Sequence, residues 1–203
     1  MKLSLTPESS HLADYLAPSP VIDWHHPTIP PLAKSLTKDI PSVPEQIKVV
    51  YEWVRDRISH TCDIGDHRVT CTASEVLHQD HGFCFAKAHL LAALLRSCAI
   101  PTGLCYQRLV FDDAQPDRFT LHGLNAVYLP ELNRWVRLDA RGNKPGVQAE
   151  FCWNREQLAY PIRPHRGEVD YPNLYAEPHP TIVTALQTHP TALALIDHLP
   201  ATL

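Results

Sequence analysis

Gly82-Phe83-Cys84-Phe85-Ala86-Lys87-Ala88-His89-Leu90-Leu91-Ala92-Ala93-Leu94-Leu95 is the stretch whose reading decides the fold. A glycine turn delivers a cysteine to the first turn of a strong helix. The unpaired N–H groups and the positive dipole end at a helix start favour a thiolate over a thiol. A thiolate is the nucleophile, so the placement turns an ordinary side chain into a reactive one. Ala99-Ile100-Pro101-Thr102-Gly103 is a stop signal followed by a turn, which ends the helix near Ser97.

Working outward toward the N-terminus, Thr72-Ala73-Ser74-Glu75 has the spacing of a capping box and opens a short helix through about Gln79. A polar loop spans 60–71. Before it, Ile47, Val50, Tyr51, Val54 and Ile58 recur at steps of three and four, which makes 44–59 an amphipathic helix. Pro44 suits its first turn and Glu45 its positive end. Pro18, Pro20, Pro27, Pro30, Pro31 and Pro41 punctuate the region ahead of it, where short helices are expected at 9–16 and 30–38. Working outward the other way, Leu104–Phe111 reads as a strand and Asp112–Arg118 as a polar loop. Thr120–Leu129 and Arg134–Ala140 read as two strands joined by Pro130-Glu131-Leu132-Asn133. Gln148–Trp153 predicts a further short strand, and two short helices follow Pro180 and Pro190 in the tail. The expected organisation is therefore a proline-rich N-terminal extension (1–43) packed on the core, a catalytic core (44–160) and a C-terminal tail with short helices (161–203).

The hairpin carries the second half of the chemistry. A turn centred on Glu131 and Leu132 sets Tyr128 opposite Trp135 and Asp139 opposite about Leu124. His122 is then one diagonal step from Asp139, on the same face of the sheet. A one-residue slip would separate them. Cysteine, histidine and carboxylate are the set that a cysteine acyl-transfer enzyme requires. In that division of labour Cys84 attacks a carbonyl carbon and His122 handles the proton. Asp139 orients the imidazole and stabilises its charged form. The oxyanion needs donors; the Cys84 backbone N–H is one candidate, and Gln79 and Trp24 are side-chain candidates.

These motifs carry a family resemblance. Cys84-x-x-Lys87-Ala88-x-Leu90-Leu91-x-Ala93-Leu94-Leu95-Arg96-Ser97-x-x-Ile100-Pro101 resembles the nucleophile helix of bacterial transglutaminase-like proteins, a branch of the papain-like cysteine enzyme superfamily. His122-Gly123-Leu124-Asn125-Ala126-Val127-Tyr128-Leu129 resembles their histidine strand, and Trp135-Val136-Arg137-Leu138-Asp139-Ala140-Arg141-Gly142-Asn143 the aspartate strand that follows. One departure stands out. Many members carry an aromatic two residues after the histidine, where this chain has Leu124, so a different substrate wall is expected there. The resemblance implies an α+β fold in which a helix-presented cysteine packs on an antiparallel β-sheet. It implies acyl transfer or hydrolysis at an amide or peptide carbonyl through a thioester, with a peptide or protein amide as partner.

The bulk properties are ordinary for a soluble globular protein. The chain of 203 residues is long enough to bury a substantial core, and its net charge of −4 gives no reason to expect nucleic acid or an anionic membrane as partner. Met1-Lys2-Leu3-Ser4-Leu5-Thr6-Pro7 is no apolar leader, and no run is long enough to span a membrane, so a cytoplasmic location is expected. Two rival readings exist. A vestigial site on a binding or scaffold protein would more often have lost one of Cys84, His122 and Asp139. A metal-binding protein could use His60, Cys62, His67, Cys71, His78 and His81, but their spacings match no zinc pattern and 13 histidines make chance clusters common, so no metal or cofactor is expected. Lys87 is read as a solvated or salt-bridged helix residue and Cys98 and Cys105 as core. Arg96, Arg137 and Arg141 are read as surface or cross-strand pairs.

Overall fold

The computed structural model describes residues 3–203. Met1 and Lys2, which open the expected N-terminal extension, lie outside the described residues. In chain order the elements are β1 (Thr6–Pro7), α1 (Ile29–Thr37), α2 (Val43–Arg57), β2 (Ser59–His60), α3 (Thr61–Ile64), α4 (Ala73–Gln79), β3 (His81–Gly82) and α5 (Cys84–Ser97). The remaining elements are β4 (Thr102–Asp112), β5 (Gln115–Leu129), β6 (Arg134–Leu138), β7 (Val169–Asp170), β8 (Asn173–Leu174), α6 (Pro180–Thr188) and α7 (Ala192–Asp197). The main sheet is antiparallel in the order β6-β5-β4-β7, so the architecture is α+β.

Helix α5 is the centre of the molecule. Every residue from Cys84 to Arg96 is buried. A helix that is apolar nearly all round is a core helix, and α1, α2 and α4 pack against it together with β4 and β5. α2 buries Ile47, Val50, Tyr51 and Val54, the stripe its spacing predicts. The capping box at α4 forms as expected: Glu75 N–H donates to Thr72 Oγ1 (3.2 Å) and Thr72 N–H donates to Glu75 Oε2 (3.0 Å). The sheet meets α5 closely where β5 carries Gly123. A Cβ there would stand 2.7 Å from Phe85 Cδ1 and 3.1 Å from Phe85 Cα. Glycine at that position lets the strand approach the nucleophile helix.

Several expectations are corrected. Asp112–Arg118 is not a loop: the β4–β5 ladder continues through a register shift to Asp112 opposite Gln115. Gln148–Trp153 makes no strand, only isolated bridges such as Glu150 with Gln157. The reason lies in Asn143, whose side chain accepts from Ala149 N–H (2.7 Å) and donates to Ala149 O (3.3 Å), replacing ladder bonds at that residue. Lys87 is not solvated. It is fully buried, with Nζ donating to Arg55 O (3.2 Å) and to Ile58 O at the end of α2. Burial, reinforced by nearby Arg141, pushes its pKa down to about 7.

All three singled-out arginines are buried as well. Arg137 pairs with Glu156 (2.7 Å) and Asp170 (2.9 Å). Arg96 satisfies three separate carbonyls: Thr102 O (2.8 Å), Ala17 O (2.6 Å) and Ala176 O. It thereby joins the end of α5 to the N-terminal extension and to the tail. The extension buries Tyr15, Val21, Ile22, Ile29 and Ala33, and β1 pairs in parallel with β8. Cys105 is fully buried and Cys98 half-buried.

Candidate active site

Cys84 is the first residue of α5, and Phe83 precedes it in extended backbone (φ −65°, ψ 164°). Gly82 ahead of it is packed tightly, since a Cβ there would stand 3.1 Å from both Ala86 Cβ and Thr70 Oγ1. The first intrahelical bond runs from Lys87 N–H to Phe83 O (2.9 Å). The N–H groups of Cys84, Phe85 and Ala86 precede it and have no helical acceptor.

The hairpin register is the one its turn predicts, with Tyr128 opposite Trp135 and Asn125 opposite Leu138. That ladder carries Asp139, one residue past β6, to His122 on β5. His122 Nε2 and Asp139 Oδ2 are 2.7 Å apart, both buried. Two backbone groups complete the carboxylate: Arg141 N–H donates to Oδ1 (3.1 Å) and Ala159 N–H donates to Oδ2 (3.0 Å). Burial alone would lower the His122 pKa. The Asp139 carboxylate and the Cys84 sulfur, which lies within reach of the ring, outweigh burial and hold it up at about 10. Burial would likewise raise Asp139, but the imidazolium and the two backbone donors hold it below its ordinary value. The ring is thus held against the Asp139 carboxylate and shares one cavity with Cys84.

Cys84 and His122 open into one cavity of about 500 Å³. Leu109, Val110, Leu121 and Leu199 form an apolar part of its wall; His60, Cys62, Arg141, Lys144 and Arg163 form a polar part. Arg141 is held by Asp63 (2.9 Å), which Lys144 also contacts (2.8 Å). The tail closes over this region. Leu121 N–H donates to Pro200 O (2.8 Å), Arg118 donates to Ile196 O (2.6 Å), and Leu199 reaches the cavity itself.

The structure brings Cys84, His122 and Asp139 together and leaves the two side-chain oxyanion candidates outside. Trp24 Nε1–H donates to Leu16 O (3.0 Å), and the Gln79 carbonyl accepts from Arg68. Neither lines the cavity. Leu124 does not line it either: it packs with Tyr15, Cys105 and Leu174 in a second core cluster. The aromatic against the His122 ring is Tyr160, edge-on at 5.1 Å between centroids. The sequence gives no local signal for Tyr160, which lies in no helix or strand. The His/Cys stretch 60–81 is scattered. His60 and Cys62 line the cavity, Cys71 is buried, His67 and His78 are exposed, and His81 Nδ1 is within 3.0 Å of Thr61 Oγ1. No group of three or more metal-ligating side chains gathers among the described residues.

A family model described as the transglutaminase-like superfamily matches residues 30–140. The chain belongs to that superfamily. Its fold resembles that of a candidate cysteine protease from Cytophaga hutchinsonii, with TM-score 0.53 and 19% identity over 69% of this chain and 46% of that one. The periplasmic domain of TgpA from Pseudomonas aeruginosa gives TM-score 0.45 and 15% identity over 63% of this chain and 45% of that domain. The chain thus spans less than half the length of either structure. No curated protein matches it by sequence.

Proposed function

We propose that the protein is a cysteine hydrolase that cleaves an amide or peptide carbonyl through a thioester on Cys84, with water as the acyl acceptor and a peptide or protein amide as substrate. The observation that carries this reading is the buried His122–Asp139 pair opening onto Cys84 at a helix start in a cavity. In the first step the Cys84 sulfur bonds to the carbonyl carbon and the C=O electron pair moves to oxygen. The tetrahedral adduct collapses, the C–N bond breaks, and the His122 imidazolium gives its proton to the leaving amine. Neutral His122 then takes a proton from water, which attacks the thioester and releases the acid and the thiolate. Asp139 orients the ring throughout and stabilises it whenever it is charged.

Support for water as acceptor comes from the tail. Leu199 lines the cavity that Cys84 opens on, and the bond of Pro200 O to β5 holds the tail beside it, which favours a restricted approach. A narrow approach admits water more readily than a lysine on a folded protein. Incubation with a glutamine-rich protein and a fluorescent primary amine tests it. Release of ammonia or cleaved peptide that depends on Cys84 and outpaces amine incorporation is expected; faster incorporation would establish a transferase instead.

A further inference from the structure

Three observations single out His60. First, it lines the same cavity as Cys84 and His122. Second, its position relative to Cys84 is fixed twice: its backbone pairs with Gly82 in the β2–β3 bridge, and its ring packs edge-on against Phe83 at 5.8 Å. Gly82 and Phe83 are the two residues that deliver Cys84. Third, His60 Nδ1 is buried with no hydrogen-bond partner. Among the other histidines, His89 has the Cys71 carbonyl (2.8 Å) and His122 has Asp139; His81 has Thr61 at Nδ1 and an unpaired Nε2, but it does not line this cavity. A buried polar side chain with unused hydrogen-bonding capacity is costly and calls for an explanation in function.

We propose that His60 donates a hydrogen bond to the oxyanion formed when Cys84 attacks an acyl carbonyl, alongside the free N–H groups at the start of α5. The inference rests on the hydrolase reading above and supplies the side-chain donor that Gln79 and Trp24 do not. When the C–S bond forms, the carbonyl oxygen takes the electron pair and accepts the His60 N–H. When the adduct collapses, the pair returns to the C=O bond and His60 still carries its proton. The proton for the leaving amine comes from His122. A donor suited to this task is neutral and does not exchange its proton. Burial, together with the nearby Arg141 charge, pushes the His60 pKa down to about 3, so the ring is a neutral imidazole at working pH. His122 is driven the opposite way, and two histidines in one cavity thereby take two different tasks.

Two reactions of Cys84 separate this role from simple support. Alkylation by iodoacetamide displaces iodide and forms no oxyanion; acylation by p-nitrophenyl acetate passes through one. We expect His60→Ala to slow the p-nitrophenol burst at least tenfold, since removal of one donor typically costs roughly 10²–10³ on catalysed acyl transfer. Alkylation of Cys84 should stay within about twofold of wild type. His60→Gln, which restores an N–H, should recover most of the burst. If His60→Ala loses the wild-type circular dichroism spectrum, His60→Phe carries the same comparison with a ring but no N–H. Unchanged acylation in the folded variant overturns the proposal. A parallel fall in acylation and alkylation also overturns it, because His60 would then act only by holding Cys84. Acylation of Cys84→Ala as fast as wild type overturns the hydrolase reading itself, and the role of His60 with it.

Discussion

Asp139→Asn is the most informative single substitution, because the consequences of removing one charge at constant volume can be worked out from the structure. Asp139 is fully buried and accepts from His122, Arg141 N–H and Ala159 N–H. An asparagine amide must put its NH₂ where one of the oxygens stood. At the Oδ1 position it faces the Arg141 N–H; at the Oδ2 position it faces the Ala159 N–H. Either way a buried backbone donor is left unpaired, at about 1–3 kcal/mol. The buried ion pair is lost as well, and the combined cost should reach about 3–5 kcal/mol. The cost depends on pH with a definite sign. Folded His122 keeps its proton to about pH 10, against an ordinary value of 6.5, so this contribution is complete below pH 6.5 and is lost as pH rises toward 10. Asp139 is held below its ordinary 3.8, so its contribution is present above that pH and lost as pH falls through the folded value. Wild type should therefore exceed the variant by most between about pH 4 and 6.5, with the difference shrinking as pH rises above that toward 10. Urea unfolding followed by tryptophan fluorescence at closely spaced pH values measures it. A difference that is flat from pH 5 to 9, or below about 1 kcal/mol, would refute the assignment of an imidazolium–carboxylate pair.

Further outcomes follow from other contacts. Limited iodoacetamide labelling near pH 6 should modify Cys84 first, because burial pushes Cys71 and Cys105 up to about 12 and raises Cys62 and Cys98 as well; peptide mapping that finds Cys62 or Cys71 ahead would contradict this. His122→Ala should reduce Cys84 labelling to the rate of an ordinary thiol while leaving circular dichroism unchanged, and labelling as fast as wild type would remove His122 as the partner. Gly123→Ala should cost about 1–3 kcal/mol and slow Cys84 labelling, since its Cβ drives into Phe85; a thermal midpoint equal to wild type would contradict the close approach. Relative to Lys87→Met, wild type should gain stability as pH rises from about 7 to about 10, because the lysine pKa is depressed in the fold; a loss over that range would reverse the assigned direction.

The parts of the site legible in the sequence are those fixed by local rules. The Cys84 helix is bracketed by Gly82 and by Ile100-Pro101, and its observed limits follow. The His122–Asp139 pairing follows from a period of two and a four-residue turn, which leave little freedom of register. Lys87 is the exception: its neighbours are alanine and leucine all round the helix. That pattern marks a helix with no solvent face, so a lysine on it must find carbonyls rather than water. The remainder of the cavity is set by long-range contacts with no local signature. A two-residue parallel bridge puts His60 beside Gly82, and a backbone bond from Leu121 to Pro200 brings in Leu199. Neither strand length nor periodicity announces such pairings, and Tyr160 arrives at His122 by the same kind of contact.

The Arg96 guanidinium has a consequence for the order of assembly. During synthesis the nucleophile helix emerges well before the tail, yet one of the carbonyls that completes its last cation belongs to Ala176. Until that segment is made, a side chain destined for the interior lacks its full set of acceptors. The completed set joins Ala17 and Ala176, two positions separated by most of the chain. A shortened chain ending before Ala176 leaves part of a buried guanidinium unpaired, and it should unfold at lower urea than the full chain.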